Sequence, residues 1–281
     1  MAAINRRADP SRLSINTATV REQWDLGQIA DACALHDIRG ISPWRDQVAK
    51  FGLRDAARAI EFNGLTVTGY CRGGMFPAES AKDRLAVRED NRRAVDEALE
   101  IHAQCLVLVV GGLPGGSKDI ASAREQVRDG IADLLDYSRP RGMPLAIEPL
   151  HPMYAADRAC VNTMRHANDL CDELGDDGLG IALDLYHTWW DPELEAQITR
   201  AGRKRLLAFH ICDWLVPTAD MLLDRGMMGD GVIEISRWRQ AVEATGYSGF
   251  HEVEIFSASN WWKRDPHEVL HTCKHRHAEC C

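Results

Sequence analysis

Four apolar runs in the second half of the chain each end on an ionisable side chain: Ala146-Ile147-Glu148, Ala182-Leu183-Asp184, Ala208-Phe209-His210 and Glu252-Val253-Glu254. Side chains two apart on a strand share a face, so Glu148, Asp184, His210 and Glu254 can project to one side while Ile147, Leu183, Phe209 and Val253 project to the other. Beneath the four lie Ala146, Ala182 and Ala208, small side chains that leave room under a ligand cluster, with Glu252 as the exception. Three carboxylates and a histidine on one rim repel and desolvate one another unless a cation neutralises them. The pattern therefore predicts a divalent metal held by Glu148, Asp184, His210 and Glu254. Oxygen-rich donors with one imidazole and no thiolate suit Mn²⁺, Mg²⁺ or Co²⁺, with Zn²⁺ also in range. One divalent ion, Mn²⁺ ahead of the others, is the expected cofactor. The bland alternative is four unrelated strand-end residues, each paired locally.

The elements that must position these residues are legible along the whole chain. Strand-type runs occur at Leu13–Thr17, Gly40–Ser42, Leu65–Tyr70, Cys105–Val110, Leu145–Leu150, Leu179–Leu185, Leu206–Cys212 and Phe250–Phe256. Helical spacing fills the intervals, for example over Ala81–His102, Ile120–Tyr137, Asn162–Leu174 and Ile235–Thr245. Eight strand–helix units without an intervening linker predict a single α/β domain over residues 1–281, a (β/α)8 TIM barrel of parallel strands. Residues 1–12 and 271–281 are expected to be flexible ends. The second of these carries His271, Cys273, His275, His277, Cys280 and Cys281, whose spacing fits no standard zinc pattern. In such a barrel the reactive groups sit at the carboxyl ends of the strands, where the four ionisable residues fall.

Composition narrows the function classes. The 281 residues are 45% hydrophobic and carry a net charge of −9, enough apolar content for a sizeable core and a balance that repels a phosphate backbone. Nucleic acid is not an expected partner. The longest apolar stretch, Cys105–Val110, is far short of the roughly 18 residues of a membrane span, so no membrane association is expected. Arg6 and Arg7 are followed by no apolar segment, so neither a secretory nor a twin-arginine signal is read, and a cytoplasmic location is the expectation. Nine cysteines, an odd number set mostly among apolar neighbours, read as reduced, buried thiols without a disulfide framework.

The motifs Ile147-Glu148-Pro149-Leu150, Leu183-Asp184-Leu185-Tyr186-His187, Phe209-His210-Ile211-Cys212-Asp213 and Val253-Glu254-Ile255-Phe256 carry a family likeness. The chain resembles the sugar phosphate isomerase/epimerase family, the xylose-isomerase-like TIM barrels that include ketose 3-epimerases and inosose isomerases and dehydratases. The likeness covers nearly the whole chain, with its specific motifs in the second half. It implies that Glu148, Asp184, His210 and Glu254 bind one divalent ion. It further implies that His187, three residues after the aspartate, and Arg225, ahead of Gly229-Asp230-Gly231, contact substrate oxygens. A small-molecule keto sugar is the implied partner, and a homo-oligomer fits relatives that are often dimers. Two departures concern substrate recognition. Tyr154 stands where epimerases of the family commonly carry a glutamate, and Met228 and Asp230 replace the usual proline and glutamate around the first loop glycine.

The chemistry this implies is proton abstraction beside a carbonyl. A metal polarises the ketone and stabilises the enediolate, while Glu148 and Glu254, from different strands, act as base and acid. Returning the proton to the same carbon on the opposite face gives epimerisation, returning it to the neighbouring carbon gives isomerisation, and expelling a β-substituent gives a lyase or dehydratase. Epimerase or isomerase is the preferred reading and lyase the alternative. His187 either donates to the developing oxyanion or pairs with a carboxylate, and Arg225 either contacts substrate or is solvated. Glu252 either braces a ligand from beneath or sits in a wet barrel floor. Asp213 reads as structural, and Gly111-Gly112-Leu113-Pro114-Gly115-Gly116 as a rim loop. Trp189-Trp190 and Trp261-Trp262 have the option of walling a sugar site, whereas Trp24 and Trp44 read as core packing. An endonuclease-like barrel of the same superfamily would need further ligands that the first four strands do not offer. A non-catalytic sugar-binding barrel is disfavoured by the intact ligand set.

Overall fold

A computed structural model describes residues 7–175 and 177–281. The strands are β1 (Leu13–Asn16), β2 (Gly40–Ser42), β3 (Thr66–Val67), β4 (Tyr70–Gly74), β5 (Leu106–Val109), β6 (Leu145–Ile147), β7 (Leu179–Asp184), β8 (Leu206–Ile211), β9 (Asp213–Trp214), β10 (Arg225–Gly226) and β11 (His251–Val253). Nine of them form one parallel sheet in the order β3-β2-β1-β11-β8-β7-β6-β5-β4, while β9 and β10 make a small antiparallel hairpin. The two ends of the nine-stranded order are consecutive in the chain. Trp44, just past β2, bridges Cys71 of β4 in parallel, and Cys71 N–H donates to Pro43 C=O at 3.0 Å, which brings the edges together. The result is the TIM barrel expected from the eight runs, with helices flanking the sheet.

One run differs from expectation. Leu65–Tyr70 is interrupted, so that β3 and β4 together fill one place in the barrel and the strand continues to Gly74. The polar and glycine residues Arg72-Gly73-Gly74 break the apolar pattern by which a strand is recognised. Gly74, with φ +110°, packs so closely on β5 that a Cβ would lie 2.0 Å from Val109 C=O, and only glycine fits there.

Alternation holds where it matters. Ile147, Leu183, Phe209 and Val253 join the large core between sheet and helices, and Ala146, Ala182 and Ala208 join Cys71, Cys105 and Val107 in a separate small cluster inside the barrel. The helices fall close to the expected spans, at Ala81–Glu100, Ile120–Ser138, Met164–Leu174 and Ile235–Ala244.

The carboxyl-terminal segment 271–281 is not a flexible tail. It continues a helix, Pro266–Cys280, whose Val269, Leu270, Cys273 and His277 are buried, as is Cys281. Asp265 caps it by accepting from His267 and Glu268 N–H at 2.9 and 3.1 Å, with Pro266 at the first position. Cysteine and histidine here serve as the apolar stripe of an amphipathic helix, a role their potential as metal ligands obscured. At the other end, Pro10–Arg12 forms a short 3-10 turn and Ala8 is buried, while residues 1–6 of the expected flexible start lie outside the described residues.

Candidate metal centre

The four predicted donors meet at the carboxyl end of the barrel. Asp184 ends β7, His210 lies next to last in β8, and Glu148 and Glu254 follow directly after β6 and β11. Parallel register sets Asp184 beside His210 and His210 beside Glu252, and the ladder runs on past the strands through Glu148 N–H to Leu108 C=O and Glu254 N–H to Ile211 C=O. All four side chains are buried. One ligand atom from each lies within 4.8 Å of all the others, about the span of a single ion with bonds of ~2.1 Å on either side. Among the described residues this is where histidine, cysteine and carboxylate groups gather in metal-binding geometry. His210 Nδ1 is 2.9 Å from Glu148 Oε1, a separation suited to two ligands adjacent on one ion. The residues therefore fit one divalent cation.

An outer ring of bonds orients this cluster. Asn16, the last residue of β1, donates from Nδ2 to Glu254 Oε1 at 2.9 Å and Glu252 Oε1 at 2.8 Å, and accepts from Trp44 Nε1 at 2.8 Å. Thr68 Oγ1 donates to Glu252 Oε2 at 3.0 Å. Glu252 thus sits bonded beneath the rim, 3.5 Å from His210 Nε2, and acts as the brace rather than as part of a wet floor. Asp184 Oδ1 accepts from Tyr186 N–H at 2.7 Å, capping the one-turn helix Leu185–Thr188 that carries His187.

Arg225 is not solvated. Its Nη1 donates to Asp184 Oδ2 at 3.0 Å and Glu254 Oε2 at 2.9 Å, and its guanidinium stacks 4.4 Å from the Tyr186 ring. Its Nη2 donates to His187 Nε2 at 3.1 Å. A guanidinium can only donate, so Nε2 is the acceptor and the proton lies on Nδ1, while burial, followed by the Arg225 charge, holds His187 well below the usual imidazole range. Burial raises the Asp184 and Glu254 carboxyls, and Arg225 opposes that rise at both. Burial works against charging His210, yet Glu252 and Glu148 outweigh it and lift that imidazole well above its ordinary range.

The loops complete the rim. Asp213 accepts from the backbone N–H groups of Trp214, Gly229, Gly231 and Ile233, all at 2.9 Å, which fixes the glycine-rich loop and confirms its structural role. The first glycine-rich loop pins the segment after β6: Gly111 N–H donates to Arg158 C=O at 2.9 Å and Leu113 N–H to Ala156 C=O at 2.7 Å. Trp44 lines the cavity over the cluster, so it is a site residue as well as a packing one. Trp261 is buried, Trp262 Nε1 donates to Ala18 C=O, and Trp190 Nε1 to His187 C=O, so these indoles brace the rim. Asn16, Arg72, Arg158 and Thr68 escaped the sequence reading. For Asn16 the signal was present, since it too is a polar residue ending an apolar run.

With this geometry in place, comparison with known proteins assigns the family. Residues 30–273 match the xylose isomerase-like TIM barrel family model, and the chain belongs to that family. Among solved structures it is 59% identical to protein SMc04130 of Sinorhizobium meliloti 1021, covering 97% of this chain and 99% of that one with a TM-score of 0.95. The fold also matches the IOLI protein with a bound zinc atom, at 20% identity and a TM-score of 0.80 over 94% of this chain and 96% of that one. Among curated proteins it is 26% identical over 153 residues to the inosose isomerase of Bacillus subtilis (strain 168), 52% of this chain and 51% of that protein. The chain therefore spans about half the length of the curated relatives it matches.

Proposed function

We propose that the protein is a divalent-metal-dependent epimerase or isomerase that abstracts a proton beside the carbonyl of a keto sugar or related polyol ketone. The observation that carries this reading is the meeting of Glu148, Asp184, His210 and Glu254 within 4.8 Å on one barrel rim. These four residues would hold the ion, with Mn²⁺ preferred by the hard donor set. When bound, the ion supplies Lewis-acid polarisation of the carbonyl. Glu148 and Glu254 come from β6 and β11, on different sides of the cluster, and both line the cavity. One removes the proton and the other returns it. His187, with its proton on Nδ1, and Arg225 at its side orient substrate oxygens. Curated relatives named inosose isomerase support a cyclic or linear polyol ketone as substrate over any polymer.

The test is to load the protein with Mn²⁺ and incubate it in D₂O with a panel of keto sugars and inososes, following deuterium entry at the carbon beside the carbonyl by NMR. Exchange with at least one member is expected, and the product identifies whether the proton returns to the same or the neighbouring carbon. No exchange with any, given one bound ion per chain, would overturn the reading. Glu148→Gln and Glu254→Gln are each expected to slow exchange by about 10²–10⁴-fold, and full activity in either would remove it from the acid/base role.

A further inference from the structure

We infer that the wall of the cavity formed by Arg72, Arg158 and Tyr154 binds an anionic group of the substrate, a phosphate or a carboxylate, so that the preferred ketone is a charged sugar derivative. The inference rests on the proton-abstraction reading and adds the substrate class to it. The three residues line the same cavity as Glu148, Arg225 and Glu254, a space of about 120 Å³.

The arginines at this end of the barrel divide into two groups. Arg225 is neutralised by Asp184 and Glu254, Arg45 by Asp90 at 2.9 Å and Glu97 at 2.7 Å, and Arg21 by Asp46. The Arg72 guanidinium, by contrast, has no hydrogen bond or ion pair among the described residues, although the residue is half-buried. Among the described residues Arg158 pairs with Asp157 alone, at 4.0 Å from its Nε. Both arginines line the one cavity, and burial, then the charge of Arg158, lowers the pKa of Arg72 against the opposing pull of Cys71 and Glu148. Glu148 lines the same cavity and attracts Arg72 without a hydrogen bond or ion pair to it, so the two guanidinium groups keep their forked donors unused, and an anion seated there would engage those donors and offset their mutual repulsion.

Tyr154 supplies the second, independent observation. It is 8% exposed, its hydroxyl has no hydrogen-bond partner among the described residues, and the Arg158 guanidinium lies 5.5 Å from its ring. A buried phenol without a partner is costly unless a ligand accepts its proton. Neutral sugar hydroxyls would satisfy the phenol but bring no charge to the two guanidinium groups, so an anionic oxygen fits all three residues better. The wall is also held firmly, since the first glycine-rich loop bonds the segment bearing Arg158 and a Cβ on Gly112 would meet Ala156 C=O at 2.4 Å.

The experiment uses the Mn²⁺-loaded protein and three small probes, glycerol 3-phosphate, glycerate and glycerol, with binding measured by calorimetry. At least one of the two anions is expected to bind at least tenfold more tightly than glycerol, and the stronger one identifies the group. Arg72→Gln and Arg158→Gln are each expected to weaken that binding by about tenfold and Tyr154→Phe by a smaller factor, whereas the exposed Arg54→Gln leaves it unchanged. Equal affinity for all three probes, or anion binding untouched by both Arg72→Gln and Arg158→Gln, overturns the inference. The two proposals fail separately. Deuterium exchange into neutral ketoses without Arg-dependent anion binding sinks the anion site alone, and Arg-dependent binding without exchange into any ketone sinks only the proton-abstraction reading.

Discussion

At the scale of single residues, the candidate centre depends as much on what holds the ligands as on the ligands. Asn16 is buried and its amide joins Glu254, Glu252 and the Trp44 indole, so it fixes the orientation of one ligand and of the brace under another. Replacing it by alanine removes one donor from each of two carboxylates, leaving Thr68 on Glu252 and Arg225 on Glu254. Asn16→Ala is expected to weaken Mn²⁺ binding by about 10–100-fold while the barrel stays folded, as read by metal titration alongside circular dichroism. An affinity unchanged by the substitution would place Asn16 outside the support of the site. Arg225 is comparable, but its two contacts are to Asp184 and Glu254 themselves, so the neutral isostere Arg225→Met should unfold at lower temperature as well as disturb metal binding, because it strands two buried carboxylates.

At the scale of elements, two pieces of chain do more than their lengths suggest. The hairpin of β9 and β10 delivers Arg225 to the cluster, and the Asp213 carboxylate clamps the loop after it through the three backbone N–H groups of Gly229, Gly231 and Ile233, with Trp214 N–H of β9 as a fourth donor. Asp213→Ala leaves those donors unmatched and is expected to cost about 2–4 kcal/mol in urea denaturation, with faster proteolysis between residues 214 and 233. The helix Pro266–Cys280 is the other piece. Its burial of Cys273, together with Cys281 beyond it, leaves Cys280 as the partly exposed thiol among nine free cysteines. Burial pushes the Cys33 thiol up to about 12, which removes the thiolate that reacts. A thiol reagent should therefore label one cysteine rapidly in the native protein and the remainder only on unfolding. Fast labelling of several would show that the helix does not dock.

For the whole molecule, the end of the barrel opposite the site contributes to the response to acid. His251 begins β11 and its Nδ1 is 2.9 Å from His277 Nε2, with Glu243, Arg239, Arg12 and Asp9 around the pair. Burial, then the neighbouring His251, bring His277 down to about 3 from an ordinary 6.5, and burial lowers His251 as well. A folded-state pKa below the unfolded value means that the unfolded chain binds more protons between the two. The contribution of this pair is therefore fully present above about pH 6.5 and is lost as the pH falls toward 3. At pH 5 the loss from His277 is at most about 2 kcal/mol. Thermal melts between pH 7.5 and 4 should show a steeper acid limb for the native sequence than for His277→Gln, and parallel curves would rule the residue out as the source.

The sequence alone determined the barrel and the identity of its four candidate ligands, because both are written in local patterns. Strand-length apolar runs alternate with helical stretches, and a polar residue at the same place in four runs marks the carboxyl rim once the fold is known. The same rule applied to β1 would have found Asn16. The split of the third strand was hidden because Arg72-Gly73-Gly74 gives no apolar signal, and the carboxyl-terminal helix because its buried stripe includes cysteine and histidine, which give little apolar signal at a chain end that would ordinarily fray. Only the tertiary structure decided that Arg225 spans Asp184 and Glu254, that Glu252 braces His210, and that Arg72 and Arg158 line the cavity with no carboxylate hydrogen-bonded to either among the described residues. Those are facts of distance between residues far apart in the chain, and no spacing within a single element encodes them.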